Sequence, residues 1–391
     1  MNENYTLDKL LGSNNALSYE DLSVNPNLIV IGAKNTGKTN KWAIPNARWI
    51  NSRATIITDR GLHIKDSVDS WYKELNEDFP LRQYIFDADR EDTYKFNPFT
   101  SDIGDSTKKV RHLARAFLAA SKDVPQKEDF YALYTAIVCA VYFGVTSEKN
   151  DLEGLMDTMN MEYSDFKTKM SIFIKDSEST YSSKPSFLEW LSKFNAIPVN
   201  KGATMFDIAK IGLDPFFTKE ALRMSDTHEN TVLNLDIQAY HLYVNLKDKR
   251  YDTTNCMFGV FLDAVLDRHI FFSKNIDEER IVPYKHFIID DADYIPLSPH
   301  VRKNMDRVSK LGVTTTVLSE HAKWIKSFFD LFDNAILMGG TEDEEDISFF
   351  SETFGIPVEQ ITKNNDDSNV LIFQKGKELI VDHKLGDRGI F

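Results

Sequence analysis

The stretch NLIVIGAKNTGKTNKWAIPN at positions 27–46 constrains the fold of this 391-residue chain more than any other. Its segment GAKNTGKT fits the pattern G-x-x-x-x-G-K-[ST] of a phosphate-binding loop, or P-loop. The β-branched run from Leu28 to Ile31 predicts a buried strand before the loop, and a helix can begin near Lys38. A strand, a glycine-rich turn and a helix in this order direct successive backbone N–H groups at an anion. The sequence therefore predicts an α/β nucleotide-binding domain.

Each part of the loop has an expected role. Two glycines let the backbone turn tightly, the lysine would reach the β- and γ-phosphates, and the threonine hydroxyl would ligate Mg²⁺. The alternative is a glycine-rich turn that contains a lysine by chance, and the preceding strand favours the P-loop. ATP and Mg²⁺ are therefore the expected cofactors. The predicted binding residues are Gly32, Ala33, Lys34, Asn35, Thr36, Gly37, Lys38 and Thr39.

The charge of the chain limits its possible partners. It carries 60 acidic against 46 basic residues, a formal net charge of −14. Free nucleic-acid binders are usually basic, so a DNA contact would need a local patch or a channel in an assembly. The two cysteines are not spaced as metal ligands are. No two histidines lie four positions apart in the sequence with a carboxylate base beside them. Thr39 and the first acid described below are the only metal ligands that the sequence predicts.

No membrane or targeting segment is expected. The N-terminus lacks a basic region followed by an apolar core. The apolar run at 132–145 is about six residues short of spanning a bilayer, and it predicts a buried helix. We therefore expect a soluble, cytoplasmic protein.

Strand-like and helical runs alternate at both ends of the chain, whereas the middle is helical only. The predicted strands after the P-loop are 54–59, 83–88, 231–236, 286–291, 314–319 and 334–339, followed by a terminal hairpin at 369–383. Helices are predicted from Asp105 onward and near 128–145, 151–159, 162–175 and 186–194, with a loop at 176–185. The predicted architecture is a discontinuous nucleotide-binding domain, 1–104 and 201–391, interrupted by an all-α domain at 105–200.

The segment HFIIDD at 286–291 carries the second chemical signal. A P-loop ATPase needs an acid at the end of a neighbouring strand to hold Mg²⁺ through water, and often a second acid to polarise the attacking water. Asp290 fits the first role and Asp291 the second. The alternative is a strand that ends in acids at a sheet edge with no chemical role.

At this point the sequence resembles the type IV coupling proteins, the TraG/TraD-like ATPases of conjugative type IV secretion. The resemblance extends over nearly the whole chain. In the first hundred residues it consists of a P-loop followed by Pro45 and Asn46, of Asp59 and Gly61 in ITDRGLH, and of Asn97, Pro98 and Phe99. In the second half of the chain it consists of the segments HFIIDDADYIP, LGVTTTVLSEHAKWIKSFF and NAILMGGTEDEEDISFFSETFG, followed by the terminal hairpin.

This resemblance implies a RecA-like P-loop domain that works as a ring of six and delivers a relaxase–DNA substrate to a secretion channel. It also implies that the inserted helical domain recognises the substrate. The implied partners are the relaxase or relaxosome, single-stranded or plasmid DNA, a small membrane-spanning protein and the ATPases of the channel. We expect a monomer or small oligomer alone, and a homo-hexamer when assembled.

Three departures from the family pattern bear on function. The second Walker B acid is Asp291 where the family has Glu, and Glu320 stands where the family has a sensor glutamine. Both predict slow hydrolysis or dependence on partners, and the implied catalytic residues are Lys38, Asp290, Asp291 and Glu320. The third departure is the missing N-terminal membrane helices, from which we expect recruitment to the inner face of the membrane by a partner.

Two further features have a plain and a functional interpretation. The acidic run at 341–346 predicts a helix start, or alternatively a dock for a basic partner. Arg302 and Arg307 predict a solvated helix face, or alternatively an arginine finger offered to a neighbouring subunit. Two other functions are also compatible with the sequence, namely a DNA translocase of the FtsK type and a non-hydrolysing adaptor that holds nucleotide while the helical domain docks substrate.

Overall fold

A nine-stranded sheet with helices on both faces dominates the computed structural model of this chain. The structure describes residues 9–10, 16–17, 27–49, 54–77, 81–100, 105–227, 239–275, 285–322, 332–339 and 341–383. A short antiparallel pair, β1 (Lys9–Leu10) and β2 (Ala16–Leu17), precedes the large sheet. The large sheet contains β3 (Leu28–Ile31), β4 (Ala54–Thr58), β5 (Arg82–Phe86), β6 (Tyr240–Val244), β7 (Lys285–Ile289), β8 (Val313–Ser319), β9 (Asn334–Met338), β10 (Asn369–Gln374) and β11 (Ile380–His383).

The order of strands across the sheet is β11-β10-β9-β3-β8-β7-β4-β6-β5. The strands from β9 to β5 run parallel, and the hairpin of β10 and β11 adds an antiparallel edge. The P-loop strand β3 and the acid-bearing strand β7 are not neighbours, because β8 lies between them. This mixed α/β architecture confirms the predicted fold class, a RecA-like nucleotide-binding domain.

The side chains of the P-loop strand β3 pack in two apolar clusters, one on each face of the sheet. All four of its residues are buried, as expected for a parallel strand covered on both faces. Leu28 and Val30 pack in one apolar cluster with Trp42 and Ile64, whereas Ile29 and Ile31 pack in the larger cluster on the other face. The alternation follows from the two-residue period of a strand.

The helix after the P-loop begins at Lys38, as predicted, but its first part is π-helical. This segment, Lys38–Ala43, leads directly into α1 (Ile44–Trp49). Pro45 lacks a backbone N–H, so an α-helical bond to the carbonyl of Lys41 cannot form. The Ile44 N–H bonds to the Thr39 carbonyl, five residues back, which is the spacing of a π-helix.

The other helices that cover the sheet lie near the P-loop or in the C-terminal half. They are α2 (His63–Glu74), α10 (Thr253–Asn275), α11 (Pro299–Ser309), α12 (Glu344–Phe354) and α13 (Val358–Asn364). The middle of the chain forms α3 (Ser106–Ala120), α4 (Glu128–Tyr142), α5 (Leu152–Met159), α6 (Tyr163–Thr180), α7 (Pro185–Ala196), α8 (Val199–Gly212) and α9 (Lys219–Ser225).

The helical part is organised around α4, which is buried on all sides from Phe130 to Val141. It packs against α3, α5, α7 and α8, so the longest apolar run of the sequence is the centre of a helical core. Helices continue to Ser225, and the predicted boundary at residue 200 falls in the first turn of α8. Because α3 also packs against α10, the separability of this domain stays a prediction.

Several predicted elements differ from the structure. The predicted loop at 176–185 is wrong in its first half, because α6 continues to Thr180 and buries Ser177. Tertiary packing there overrides a polar composition. The predicted strand at 231–236 lies outside the described residues. Strand β6 and the long helix α10 were not predicted.

Asp105 begins the helical part and offers a test of its local stability. Its carboxylate accepts hydrogen bonds from the N–H groups of Thr107 and Lys108 at 3.1 and 3.3 Å, and from Lys184 Nζ at 2.7 Å. Burial opposes its ionisation, but the hydrogen bonds from Lys184, Thr107 and Lys108 outweigh burial and lower the pKa of Asp105 to about 2.

We expect Asp105→Ala to lower the free energy of unfolding by about 1 kcal/mol, because the helix loses its N-cap. Asp105→Ser should retain most of the wild-type free energy of unfolding, since serine also caps helices. The stabilisation by the ionised group should be full above its ordinary pKa of 3.8 and lost as the pH falls toward 2. Urea unfolding followed by circular dichroism at pH 7 and pH 3 measures both effects. Equal losses in the Ala and Ser variants would contradict the capping role.

Candidate nucleotide-binding site

The P-loop lies at the carboxyl end of β3 and is shaped by two glycines. A Cβ atom on Gly32 would lie 2.5 Å from the Met338 carbonyl oxygen and 2.5 Å from Thr36 Oγ1. Gly37 has φ 98°, in the left-handed region that side chains disfavour. Both positions therefore require glycine, as the motif predicted.

The lysine and threonine of the motif face the centre of the site. Lys38 Nζ donates hydrogen bonds to the carbonyl oxygens of Gly32 at 2.6 Å and Ala33 at 3.2 Å. Thr39 Oγ1 donates to Asp290 Oδ2 at 2.6 Å, across 251 positions of sequence. Burial lowers the pKa of Lys38, and the charges of Asp290, Glu320 and Asp291 act in the opposite direction.

The remaining loop residues divide into a buried and an exposed set. Thr36 is buried, and its Oγ1 donates to the Ala33 carbonyl at 2.9 Å, which stabilises the turn. Lys34 and Asn35 are exposed at the tip of the loop, and both line the cleft described below. Their backbone and side chains are accessible to a phosphate-bearing ligand.

Three parallel strands bring the predicted catalytic residues to one edge of the sheet. Ile31 of β3 pairs with Ser319 of β8, and Ile289 of β7 pairs with Val317 of β8. Lys38, Glu320 and Asp290 each follow one of these strands, so all of them lie beyond the carboxyl ends, where ligands bind in open α/β sheets. The sheet thus joins residues that the sequence separates by more than 250 positions.

Asp290 is the acid closest to the P-loop. Removal from water and the neighbouring charge of Asp291 raise its pKa to about 6, against the opposing effects of Thr39 and Lys38. The carboxylate and the Thr39 hydroxyl together offer two hard oxygen ligands beside the phosphate cradle, which is the donor set that Mg²⁺ prefers. The residues present therefore fit the predicted metal site.

Asp291 has an unusual backbone and a partner that sequence reasoning missed. Its φ of 55° lies in the left-handed region, which is uncommon outside glycine. Arg60 Nη1 donates to Asp291 Oδ2 at 3.3 Å, and the Arg60 guanidinium lies 5.0 Å from the centre of the Tyr294 ring. Arg60 also pairs with Asp248. The only sequence signal for Arg60 was its place directly after a predicted strand.

The segment around Arg60 is held rigidly by its neighbours. The buried Asp59 carboxylate accepts hydrogen bonds from the N–H groups of Ile64 at 2.9 Å and Lys65 at 2.8 Å, which caps the start of α2. Gly61 has φ 70°, and its N–H donates to Asn245 Oδ1 at 2.8 Å. These contacts favour aspartate at position 59 and glycine at position 61.

All four predicted catalytic residues line one polar cleft of about 1320 Å³. The cleft extends from the P-loop along α2 as far as Trp71 and Glu74. A second cavity of about 690 Å³ adjoins it. Both volumes are lined by Thr39, Arg60, His63, Asp290 and Asp291. Ligand pockets usually measure about 300–1,000 Å³, so the cleft has room for more than one small molecule.

Other residues singled out from the sequence lie elsewhere. Arg307 is exposed on α11 and is not among the residues that line the cleft, and the Arg302 side chain lies outside the described part of the structure. An arginine finger from a second copy of the chain stays a prediction. The acidic run at 341–346 is a helix start, because Asp343 caps α12 through the N–H groups of Glu345 and Asp346.

The fold is similar to solved structures of the conjugative coupling protein TrwB and of VirB4. The plasmid coupling protein TrwB in complex with GDPNP has a TM-score of 0.67 and 12% identity, over 96% of this chain and 89% of that chain. TrwB in complex with ADP and Mg²⁺ has a TM-score of 0.65 and 12% identity, with the same coverage of both chains. VirB4 of Thermoanaerobacter pseudethanolicus has a TM-score of 0.54 and 13% identity, over 97% of this chain and 96% of that chain.

No protein-family model and no curated protein matches the sequence. The structural similarity extends over nearly the whole chain, including the helical insertion. The chain therefore has a type IV coupling protein-like fold, as the order of its motifs predicted.

We expect Lys38→Ala to weaken ATP binding by about 10- to 100-fold, because a charge-assisted hydrogen bond to phosphate is lost. Thr39→Ala should remove most of the gain in affinity that Mg²⁺ provides and leave metal-free binding nearly unchanged. Calorimetric titration with a non-hydrolysable ATP analogue, with and without Mg²⁺, measures both. Lys363→Ala, which removes an exposed lysine of α13 that does not line the cleft, serves as the control. Binding by Lys38→Ala as tight as wild type would show that this loop is not the phosphate site.

Proposed function

We propose that this chain is a coupling ATPase of a conjugative type IV secretion system. It binds Mg²⁺–ATP in the P-loop cleft and delivers a relaxase–DNA substrate to the secretion channel. The observation that carries the proposal is the convergence of Lys38, Thr39, Asp290 and Asp291 on one cleft, within a type IV coupling protein-like fold.

Each residue of the cleft has a defined part in phosphoryl transfer. Lys38 is placed to exchange its contacts with the loop carbonyls for the β- and γ-phosphate oxygens of ATP. Thr39 and Asp290 hold Mg²⁺, which when bound neutralises charge on the phosphates. Asp291 orients a water and accepts its proton as the water oxygen bonds to the γ-phosphorus and the bond to ADP breaks.

The contacts of Asp291 support slow turnover. The carboxylate accepts a hydrogen bond from Arg60, so one of its oxygens is already engaged where a water would have to bind. Aspartate is also one methylene shorter than the glutamate of the family. Glu320 adds a negative charge to the same cleft, close enough to Lys38 to act on its pKa. Turnover would then rise when a partner moves Arg60 away from Asp291.

The size and openness of the cleft support assembly into a ring. A cleft of about 1320 Å³ leaves space for a side chain of a second copy beside the nucleotide, as an arginine finger requires. We propose a homo-hexamer when DNA or a partner is present. DNA would then pass through a channel of the assembly, since the chain itself has a net charge of −14.

Recruitment to the membrane forms part of the same proposal. Within the described residues, no helix is both long enough and apolar enough to cross a bilayer. We propose that a small membrane-spanning partner holds the protein at the inner face of the cell membrane, next to the ATPases of the channel. Tethering would also raise the local concentration and favour the ring.

A non-hydrolysing adaptor is the second candidate function, and the Arg60–Asp291 ion pair favours it. Under this alternative the nucleotide holds the fold in a docking-competent form and the helical part binds the substrate. Turnover in the presence of DNA and partner proteins separates the two candidates. An activity no higher than that of Lys38→Ala under all these conditions would favour the adaptor and contradict the ATPase.

Substitutions of the two acids test the assigned chemistry. We expect Asp291→Asn to reduce ATP turnover by about 100-fold or more, because the proton acceptor is lost. Asp291→Glu and Glu320→Gln, which restore the family residues, should raise turnover or leave it unchanged. Steady-state phosphate release with and without DNA measures all three. A large loss in either restoring variant would show that Asp291 and Glu320 are already adapted to the reaction.

The helical part carries exposed apolar side chains that fit substrate recognition. Ile172 on α6 and Ile211 on α8 are 59% and 67% exposed. We expect Ile172→Glu or Ile211→Glu to weaken binding of the relaxase by about 10-fold or more, with ATP affinity unchanged. Val358→Glu, an equivalent change at an exposed residue of α13, is the control. Unchanged relaxase binding in both variants, measured by biolayer interferometry, would argue against recognition through these two side chains.

A further inference from the structure

A cluster of buried titratable side chains joins the helical part to the nucleotide-binding domain. His112 lies on α3, Asp267 on α10 and His300 on α11, and each is less than 9% exposed. None of the three lines the nucleotide cleft. They are separated by 155 and 33 positions in sequence, and for this reason the histidine spacing gave no hint of a metal site.

The Asp267 carboxylate lies between the two imidazoles. Its Oδ2 contacts His112 Nδ1, and its Oδ1 lies 3.1 Å from His300 Nε2. The three potential ligand atoms all lie within 4.8 Å of one another. Asn304 Nδ2 donates to Asp267 Oδ1 at 2.8 Å, which fixes the orientation of the carboxylate. Two imidazole nitrogens and a carboxylate are a donor set typical of zinc and related ions.

A second acid points independently to a ligand at this place. Asp263 precedes Asp267 by one turn of α10 and is 3% exposed. Its Oδ2 accepts a hydrogen bond from Ser298 Oγ at 3.0 Å, whereas its Oδ1 has no hydrogen-bond partner among the described residues. A buried carboxylate oxygen without a partner is costly, so it is expected to meet a donor or a cation.

A small cavity lies beside these side chains. It measures about 20 Å³, and its lining includes His112, Asp263 and Asp267. A volume of about 10–15 Å³ is enough for one water molecule when polar partners are present. Lys109 also lines the cavity, and its Nζ donates to the Phe99 carbonyl at 2.6 Å. The cavity therefore has room for one water, with carboxylate oxygens to hold it.

Charge balance favours a dication at this position. Asp263 and Asp267 bring two carboxyl groups into one buried place, and neutral imidazoles of His112 and His300 add no charge. A dication would offset two carboxylates there and so lower the cost of burying them.

We propose that this cluster binds one divalent transition-metal ion of the zinc class. The protein ligands are His112 Nδ1, His300 Nε2 and the Asp267 carboxylate, and the fourth ligand is a water in the cavity that donates a hydrogen bond to Asp263. Ser298 and Asn304 orient the two acids through hydrogen bonds, as residues around the metal ligands commonly do. The ion replaces the direct contacts between Asp267 and the imidazoles, and protons held there pass to solvent.

The position of the site gives the ion a structural role. It cross-links α3 of the helical part to α10 and α11, the helices that precede and follow the strand leading to Asp290. An ion bound here fastens the helical part to the two helices that flank the strand before Asp290 and Asp291. This inference does not depend on the proposed ATPase activity.

Metal content and metal affinity test the proposal directly. We expect the full-length protein, purified without chelators, to contain about one equivalent of zinc by mass spectrometry of the dissolved ions. After removal of zinc, Co²⁺ should bind with the visible absorption of a four-coordinate site. His112→Gln and His300→Gln should each weaken Co²⁺ and Zn²⁺ binding by about 100-fold or more, and Asp263→Asn by about 10-fold.

Two controls locate the ion. His241→Gln removes a buried histidine of β6, and Asp290→Asn removes the predicted Mg²⁺ ligand, and both variants should bind Zn²⁺ as wild type does. Should a ligand variant fail to fold, the wild-type protein still decides, because Zn²⁺ must raise its melting temperature by a few degrees, reversed by chelator. A wild-type protein that neither contains nor binds zinc or cobalt overturns the proposal, as does equally tight binding by both histidine variants. The cluster would then be a hydrogen-bond network only.

Discussion

The site depends on one constraint, the parallel alignment of β3, β8 and β7. Because parallel strands end at the same edge, the residues that follow them meet although the chain places them far apart. The hydrogen bond from Thr39 to Asp290, at 2.6 Å, is a direct consequence of this alignment. A slip of β8 by one residue would move Glu320 by about 3.3 Å relative to the P-loop and turn buried side chains of β8 toward the wrong face.

The helical part is joined to this sheet in two different ways. The chain enters and leaves it at neighbouring points, since the N–H of Phe96, before the helical part, donates to the carbonyl of Met224, at its end, at 3.0 Å. That arrangement is typical of an insertion that leaves the host domain intact. However, α3 packs against α10, and His112 reaches Asp267 there. The helices that would recognise a substrate are therefore in direct contact with the nucleotide-binding domain.

Sequence reasoning was most accurate where a local pattern has a single structural solution. The P-loop requires glycine at 32 and 37, and the structure shows why at both positions. Asp105 predicted the start of α3, and a helix cap depends only on the next three residues. The predicted loop at 176–185 was wrong in its first half, because a polar segment can still form a helix when one of its faces is buried. The pairing of Arg60 with Asp291 could not be predicted, because it depends on β4 lying beside β7.

The sequence by itself determined the nucleotide-binding motif, the α/β class and the order of the helical insertion, because these follow from local spacing and periodicity. Only the tertiary structure decided which distant side chains meet. It placed Glu320 in the cleft, joined Arg60 to Asp291, and brought His112, Asp267 and His300 together from three helices. Contacts of this kind depend on strand order and helix packing, which are set by the burial of the whole core rather than by any short segment.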